Sequence, residues 1–98
     1  MIGVFVTFRL DGALDVSKVR GIAENARPMF ERMPHLRSKT FTYDSGRGEV
    51  TNFYVWDSKE AAEAFFSGQM LELVTSLYGV RPSVNFAEIA MLVDNTHA

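Results

Sequence analysis

Residues 50–61 read VTNFYVWDSKEA, and this stretch contains a strand, the start of a helix and the junction between them. Its first seven residues are rich in β-branched and aromatic side chains, which is typical of a strand. The next four, DSKE, place an acceptor side chain ahead of a glutamate in the pattern of a capping box. The stretch therefore predicts a strand that passes directly into a helix.

Three more segments have the pattern of strands. Residues 2–10 (IGVFVTFRL) and residues 36–43 (LRSKTFTY) alternate in character, and residues 83–93 carry apolar side chains on both faces. The polar, glycine-containing residues 44–49 separate two of these strands and predict a hairpin connection. The sheet therefore has four strands.

Two helices complete the pattern. Apolar residues recur at three- and four-residue steps over 15–33, which predicts a helix capped by Asp15 and kinked at Pro28. A second helix runs from the capping box to Gly79, a natural C-cap, with Gly68 as a weak point. The order βαββαβ predicts a ferredoxin-like α+β fold, a four-stranded antiparallel sheet with both helices on one face.

Composition limits the classes of function. The 98 residues allow one domain, which we place at 1–94 ahead of a frayed tail at 95–98. There is no cysteine, and the two histidines are far apart, so no metal site is expected. The net charge of -2, with scattered basic residues, argues against nucleic-acid binding. No apolar run is long enough for a membrane span, and a cytoplasmic location is expected.

The face of the sheet opposite the helices also carries apolar residues. Phe53 and Val55 of the third strand and Phe5 of the first lie behind the rows that pack on the helices. Exposed apolar patches of this kind usually mark an interface. We therefore expect a homodimer, a dimeric α/β barrel in which two sheets pack face to face around a shared cavity.

The order of elements, the sequence PHL at 34–36 and the run NFYVWDSKEA at 52–61 resemble the antibiotic-biosynthesis monooxygenase superfamily of dimeric α/β barrels, with the small YdhR-type members nearest. The resemblance covers residues 3–94. It implies a cofactor-independent monooxygenase that oxidises a small aromatic or polyphenolic substrate without flavin, haem or metal. The cavity would lie between helices and sheet or between the two sheets.

The resemblance implies catalytic roles for Asn52 and Trp56, which match a cavity-lining Asn and Trp of the quinone-forming members. An amide can donate to a phenolate oxygen, and an indole supplies a flat wall and one N–H. Strand periodicity places Tyr54 beside them as a substrate-binding residue, and we expect all three side chains to point away from the helices. Each has an alternative: Asn52 bonding to neighbouring backbone, Trp56 filling a gap beneath the second helix, and Tyr54 acting as a core aromatic.

Two departures from the family pattern stand out. Those members carry a Tyr on the second helix where this chain has Ala62, and they often have Gly at the position of His35. His35 is a further candidate, for proton transfer or simply as a solvated loop histidine.

The remaining candidate substrate-binding residues lie on the first and fourth strands. Phe5, Thr7 and Arg9 share one strand face, which would point into a cavity between the sheets. The alternative for Arg9 is a solvated charge at the strand end. Glu88 is the one acid inside the fourth strand, and it either pairs with a base such as Arg9 or lies on an exposed edge.

A second function is compatible with the same cavity. The protein could bind a small hydrophobic ligand without turnover, as an accessory or stress-related dimeric barrel protein. RNA-recognition domains share the βαββαβ order, but the third strand lacks their basic-glycine-aromatic motif. The expected partners are therefore a second copy of the chain and a small aromatic or hydrophobic molecule.

Overall fold

The structure, a computed structural model, describes residues 1–95 and contains four strands and three helices. In chain order these are β1 (Ile2–Arg9), α1 (Val16–Glu31), β2 (Leu36–Asp44), β3 (Glu49–Trp56), α2 (Lys59–Phe65), α3 (Gly68–Tyr78) and β4 (Ser83–Glu88). The predicted ferredoxin-like α+β fold is confirmed. None of the helices in the described part of the chain has the length and apolar character to cross a membrane.

The strands form one antiparallel sheet in the order β2-β3-β1-β4. β1 lies at its centre with β3, where Val4 is opposite Tyr54 and Val6 is opposite Asn52. Residues directly opposite each other point to the same face of a sheet. The register therefore decides which side chains of β3 share a face with the valines of β1.

All three helices cover the same face of the sheet. Each contributes a buried side chain to one core, Val19 from α1, Ala62 from α2 and Tyr78 from α3. The strand residues of that core are Ile2, Val4, Val6, Phe8, Val50, Tyr54 and Trp56. The two faces of the sheet therefore differ, one buried beneath helices and one open.

The predicted caps are present. The Asp15 carboxylate accepts a hydrogen bond from the backbone N–H of Lys18 at 3.1 Å and begins α1. The backbone of Gly79 is left-handed, at φ 81°, and its N–H donates to the carbonyl of Thr75 at 2.8 Å. A residue with a Cβ would be strained there, which explains glycine at the end of α3.

The second helix is not continuous as predicted. α2 ends at Phe65, Phe66 leaves the helical conformation, and the side chain of Ser67 caps α3 by accepting from the N–H of Met70. Serine competes for backbone hydrogen bonds and glycine lowers helix propensity, so Ser67-Gly68 favours a new helix start over a continued turn. The helix is therefore broken at Phe66 and Ser67, directly before the predicted weak point, and Gly68 is the first residue of α3.

The fourth strand is shorter than predicted. It ends at Glu88, which lies opposite Ile2, the first residue of β1. The last backbone contact along this edge is the N–H of Ile89 donating to the carbonyl of Met1 at 3.1 Å. Beyond that point β1 provides no partner for residues 90–93. Of the predicted tail, only the first residue is described, and 96–98 lie outside the described residues.

The connection between β2 and β3 is a tight polar turn, as predicted. The Asp44 carboxylate accepts from the backbone N–H of Arg47 at 3.1 Å, and the side chains of both residues are mostly exposed. An exposed side chain at such a turn contributes little to packing.

Replacement of Arg47 by Ala should therefore change the free energy of unfolding by less than about 0.5 kcal/mol. Urea denaturation measures this directly, with Val50→Ala as the buried control on the adjacent strand, expected to cost more than about 1 kcal/mol. A loss of several kcal/mol for Arg47→Ala would show that the turn is docked on another surface.

Candidate functional site

The side chains of Asn52, Tyr54 and Trp56 are all buried, and they face the helices. The expectation that they point away from the helices, toward a partner sheet, is wrong. The register of β3 against β1 explains this, because it sets Asn52 opposite Val6 and Tyr54 opposite Val4, both of which pack on the helices. The three residues do share one face, as strand periodicity requires.

A cavity of about 50 Å³ lies beneath the helices at this point of the sheet. Asn52 and Tyr54 are on its wall, whereas Trp56 lies one step farther along β3, outside the wall. The lining residues, which come from α1, β2, β3, α2 and α3, are mainly apolar: Ile22, Ala26, Met29, Phe30, Lys39, Phe41, Asn52, Tyr54, Phe65, Met70, Leu73, Val74, Leu77 and Tyr78. The sequence left two locations open for a cavity, one between the helices and the sheet and one between two sheets. Asn52 and Tyr54 of β3 lie at the first of these. We call this space the inner cavity.

Two polar atoms on this face have no hydrogen-bond partner among residues 1–95. They are the amide oxygen Oδ1 of Asn52 and the indole Nε1 of Trp56, and both are fully buried. A buried donor or acceptor without a partner costs about 1–3 kcal/mol, and such groups often mark functional sites. The amide oxygen does not bond to neighbouring backbone, which was the alternative reading of Asn52.

Trp56 also fills the space beneath α2, which was the alternative role predicted for it from the sequence. Its ring centroid lies 5.3 Å from that of Phe65 and 6.4 Å from that of Phe66, and its ring is nearly parallel to Tyr54 at 6.2 Å. The packing and the unpartnered N–H are compatible, because only one atom of the indole is polar.

Two phenols face the inner cavity. Burial raises the pKa of Tyr54, and the charge of a neighbouring Tyr78 phenolate would raise it further. Burial also raises the pKa of Tyr78, while a hydrogen bond from the Asn52 side chain acts in the opposite direction. Both hydroxyls are therefore protonated at neutral pH and can act as hydrogen-bond donors.

Tyr78 was not among the residues selected from the sequence. It is four residues after Val74 on the apolar stripe of α3, which is the signal that places it on the buried face. Its ring stacks on Phe8 of β1 at 4.0 Å between centroids.

Lys39 is the second residue that sequence reasoning missed. Its ammonium nitrogen Nζ lies 3.5 Å from the ring centroid of Phe30, 4.2 Å from that of Phe41 and 4.4 Å from that of Tyr54. Burial lowers the pKa of Lys39 from 10.5 to about 7. The sequence feature that could have identified Lys39 is its position two residues before Phe41 on an alternating strand. Residues two apart on a strand share a face, so both side chains lie on the helix face.

The candidates on β1 and β4 lie elsewhere. The hydroxyls of Thr7 and Thr51 are 3.2 Å apart on the outer face, and Arg9 donates from Nε to Oε2 of Glu49 at 2.8 Å. Glu88 lies opposite Ile2, at the far end of β1 from Arg9. The suggested pairing of Arg9 with Glu88 is therefore wrong, and Glu88 is exposed at the edge of the sheet.

Phe5 is also on the outer face and does not line the inner cavity. It is 40% exposed, and its ring centroid lies 4.6 Å from that of Phe53. The ring of Phe53 extends over Gly3, where an added Cβ would be 3.0 Å from a ring carbon. The absence of a side chain at Gly3 therefore leaves room for the Phe53 ring at this position.

His35 is exposed at the start of β2, outside the inner cavity. Its Nδ1 is 3.1 Å from Oδ1 of Asp57, and its carbonyl accepts from the N–H of Asp57 at 2.9 Å. The φ of His35 is 69°, in the left-handed region that favours glycine. This agrees with the glycine that the sequence resemblance implies at this position.

A larger surface groove of about 240 Å³ contains none of the predicted site residues. It is bordered by Asp11, Asp15 and Lys18 near the start of α1, and its polar groups are open to solvent. Size alone does not assign chemistry, and the buried unpartnered atoms favour the inner cavity. Within residues 1–95, no group of three His, Asp or Glu side chains is arranged to hold a metal ion.

No family model matches the chain. No curated protein matches it either. Solved structures do. A monooxygenase from the gene ActVA-Orf6 of Streptomyces coelicolor, in complex with Nanaomycin D, is 23% identical with a TM-score of 0.66, and the match covers 95% of this chain and 92% of that one.

Two further structures have similar scores. SnoaB, a cofactor-independent oxygenase from Streptomyces nogalater, is 15% identical with a TM-score of 0.60 over 98% of this chain and 97% of its own. An antibiotic biosynthesis monooxygenase is 12% identical with a TM-score of 0.59 over 93% and 100%. The YdhR-type subgroup stays a prediction.

The chain has the ferredoxin-like α+β fold of the antibiotic biosynthesis monooxygenases, as its sequence resemblance implies.

Proposed function

We propose that the chain is a cofactor-independent monooxygenase that oxidises a small aromatic or polyphenolic substrate in the inner cavity. The observation that carries the proposal is the pair of buried, unpartnered polar atoms, Oδ1 of Asn52 and Nε1 of Trp56, on the strand face beneath the helices. A substrate hydroxyl inside the inner cavity can donate to the first, and a substrate oxygen that extends past Tyr54 along β3 can accept from the second. Binding would then supply hydrogen bonds to two atoms that have no partner among residues 1–95.

The residues around the inner cavity suit a phenolic substrate. The two phenols provide hydrogen-bond donors where negative charge develops on the substrate oxygen, the Asn52 amide oxygen accepts from a substrate hydroxyl, and the apolar wall excludes water. Reaction of a phenol that has a free para C–H position needs only dioxygen. One oxygen atom becomes the new quinone carbonyl, and the second leaves as water with the hydrogens of the C–H and O–H groups.

The solved structures support the reaction class. SnoaB is a cofactor-independent oxygenase, and the Streptomyces coelicolor monooxygenase was solved with Nanaomycin D. Both share the fold of this chain over nearly its whole length, and fold alone does not fix an activity. The proposal therefore depends on Asn52 and Trp56.

Binding without turnover is the second candidate function. Ala62 is fully buried and carries no hydroxyl, whereas the sequence resemblance implies a Tyr at this position. This difference favours binding without turnover. Oxygen uptake with dihydroxyaromatics separates the two functions, because a binding protein is stabilised by such compounds without consuming oxygen.

Asn52→Ala should lower oxygen uptake with a dihydroxynaphthalene about tenfold or more, because it removes the amide from the inner cavity. Stability should not fall by more than about 2 kcal/mol, since the amide oxygen has no partner and the polar interaction that is lost is the hydrogen bond from the amide to Tyr78. An oxygen electrode and thermal unfolding measure the two effects. Asn25→Ala, which removes an exposed amide from α1, is the matched control. Equal oxygen uptake by both variants would contradict the site assignment.

Trp56→Phe tests the indole N–H. The variant keeps an aromatic ring against Phe65 and loses the polar atom, so the fold should persist while the preference among dihydroxyaromatics changes. The ratio of turnover rates for a compound with two hydroxyls and its one-hydroxyl analogue reports this preference. An unchanged ratio would remove Trp56 from the site.

We further propose that the protein is a homodimer formed through the outer sheet face. That face carries Phe5 and Phe53, and the segment after β4 exposes Met91 (78%), Leu92 (53%) and Val93 (72%). Exposed apolar surface of this kind is unusual for a monomer. The interface would be separate from the inner cavity, which lies on the opposite side of the sheet.

Sedimentation at micromolar concentration should give about twice the 11.0 kDa of one chain. Phe5→Lys should shift the protein toward the monomer, because it places a charge in the apolar interface, whereas Arg47→Ala at the exposed turn should not. A folded wild-type monomer under these conditions would contradict the dimer.

A further inference from the structure

A second concave surface adjoins the inner cavity at Lys39. This outer groove has a volume of about 250 Å³ and is lined by Arg27, Phe30, Glu31, Leu36, Arg37, Ser38, Lys39 and Phe41. Phe30, Lys39 and Phe41 line both spaces, so these three side chains form the partition between them. The outer groove therefore adds open space beside the inner cavity, which at about 50 Å³ is well below the range for small-molecule pockets, about 300–1,000 Å³.

The outer groove is positively charged although the chain as a whole is negative. Three basic side chains, Arg27, Arg37 and Lys39, face one acid, Glu31. Nε of Arg27 is 3.6 Å from Oε1 of Glu31, so the acid already has a partner on α1. A groove with this balance favours anionic ligands.

Within residues 1–95, Lys39 forms no ion pair and no hydrogen bond with another side chain. Its amine is half-buried and is surrounded by the ring faces of Phe30, Phe41 and Tyr54. Aromatic faces attract a cation, but they replace water only in part. An amine held in such a position without a counter-ion is the kind of group that a ligand anion completes.

We propose that Lys39 binds the anionic oxygen of the ligand at the partition, so that the protein selects aromatic anions, such as ionised phenols and ring carboxylates, over neutral aromatics. The inference rests on the proposed ligand site. It adds the residue that recognises the negative charge of the ligand, and it adds the chemical class of that ligand. The ring faces of Phe30 and Phe41 lie beside the amine and can stack on the ligand ring. Because the lysine stem is flexible, the amine can move with the anion between the outer groove and the inner cavity.

The protonation of Lys39 makes this binding sensitive to pH. Burial disfavours the charged amine and lowers the pKa of Lys39 to about 7. A bound anion favours the ammonium, so binding at about pH 8 should take up a proton from solvent. The charged groups that line the outer groove with it are Arg27, Glu31 and Arg37, and the phenols on the wall of the inner cavity are Tyr54 and Tyr78. The phenols stay protonated in this range, since burial raises the pKa of each.

Isothermal titration calorimetry with 2-naphthoate tests the proposal, because this anion cannot be oxidised to a quinone through a phenolic hydroxyl. We expect it to bind about tenfold or more tightly than the neutral 2-naphthamide at about pH 6.5. Its affinity should fall as the pH rises through about 7 to 9, because the fraction of charged amine falls. At about pH 8, binding enthalpies in buffers of different ionisation enthalpy should show the uptake of up to one proton.

Lys39→Met should remove the preference for the carboxylate, its pH dependence and the proton uptake together. Methionine keeps much of the aliphatic stem, and the removal of an unpaired amine favours folding. Lys59→Met removes an exposed lysine from the first turn of α2 and should behave as the wild type. If Lys39→Met fails to fold, the wild-type comparison of naphthoate with naphthamide and the proton count still decide the question.

Two results would overturn the inference. One is wild-type protein that binds 2-naphthoate no better than 2-naphthamide, including no binding of either up to millimolar concentration. The other is a folded Lys39→Met variant that keeps the pH-dependent preference. Naphthoate binding through Lys39, together with no oxygen uptake when a dihydroxynaphthalene is supplied, would support the inference and contradict the oxygenase. Turnover of the dihydroxynaphthalene that Lys39→Met leaves unchanged, together with naphthoate binding that does not depend on Lys39, would do the reverse.

Discussion

The register between β1 and β3 is the constraint on which the rest of the structure depends. It sets Val4 opposite Tyr54 and Val6 opposite Asn52, so that the polar residues of β3 share a face with the apolar row of β1. A shift by one residue would turn that whole face of β3 toward the other side of the sheet. The same pairing therefore buries the tyrosine and the amide beneath the helices and leaves Phe53 with Phe5 on the open face.

Local patterns predicted the elements well because their causes are local. The Asp15 cap, the Gly79 cap and the turn at 44–49 each depend on a few neighbouring residues, and all are present. The direction of Asn52 was mistaken, because period two groups residues on a face without saying which face meets the helices. The pairing of β3 with β1 decides which face meets the helices. This pairing consists of contacts between residues that are far apart in the sequence.

The same limit explains the other errors. An Arg9–Glu88 pair is reasonable for two charges on neighbouring strands, but antiparallel pairing sets them at opposite ends of β1. β4 stops at Glu88 because β1 provides no further partner, although the sequence stays apolar through Val93. Lys39 was overlooked because one lysine in a strand is usually solvated. Its environment comes from three rings on α1, β2 and β3.

The helix face of the sheet combines a well-packed core with polar groups that packing does not require. Phe8 and Tyr78 stack closely at one end, while Asn52 and Lys39 interrupt the apolar surface farther along. Consistent local choices specify a fold, and departures from them tend to lie at functional sites. Both departures line the inner cavity, and Lys39 also lines the outer groove next to it.

The break at Ser67 gives the cover over this region a distinct mechanical character. α2 has seven residues, too few for a helix that is stable by itself, so its order depends on the contacts of Phe65 and Phe66 with the aromatic rings of β3. Since α3 has its own cap, loss of those contacts need not propagate along the chain. The order of α2 is therefore tied to the aromatic cluster on β3, and a substitution that loosens that cluster acts on α2 before it acts on α3.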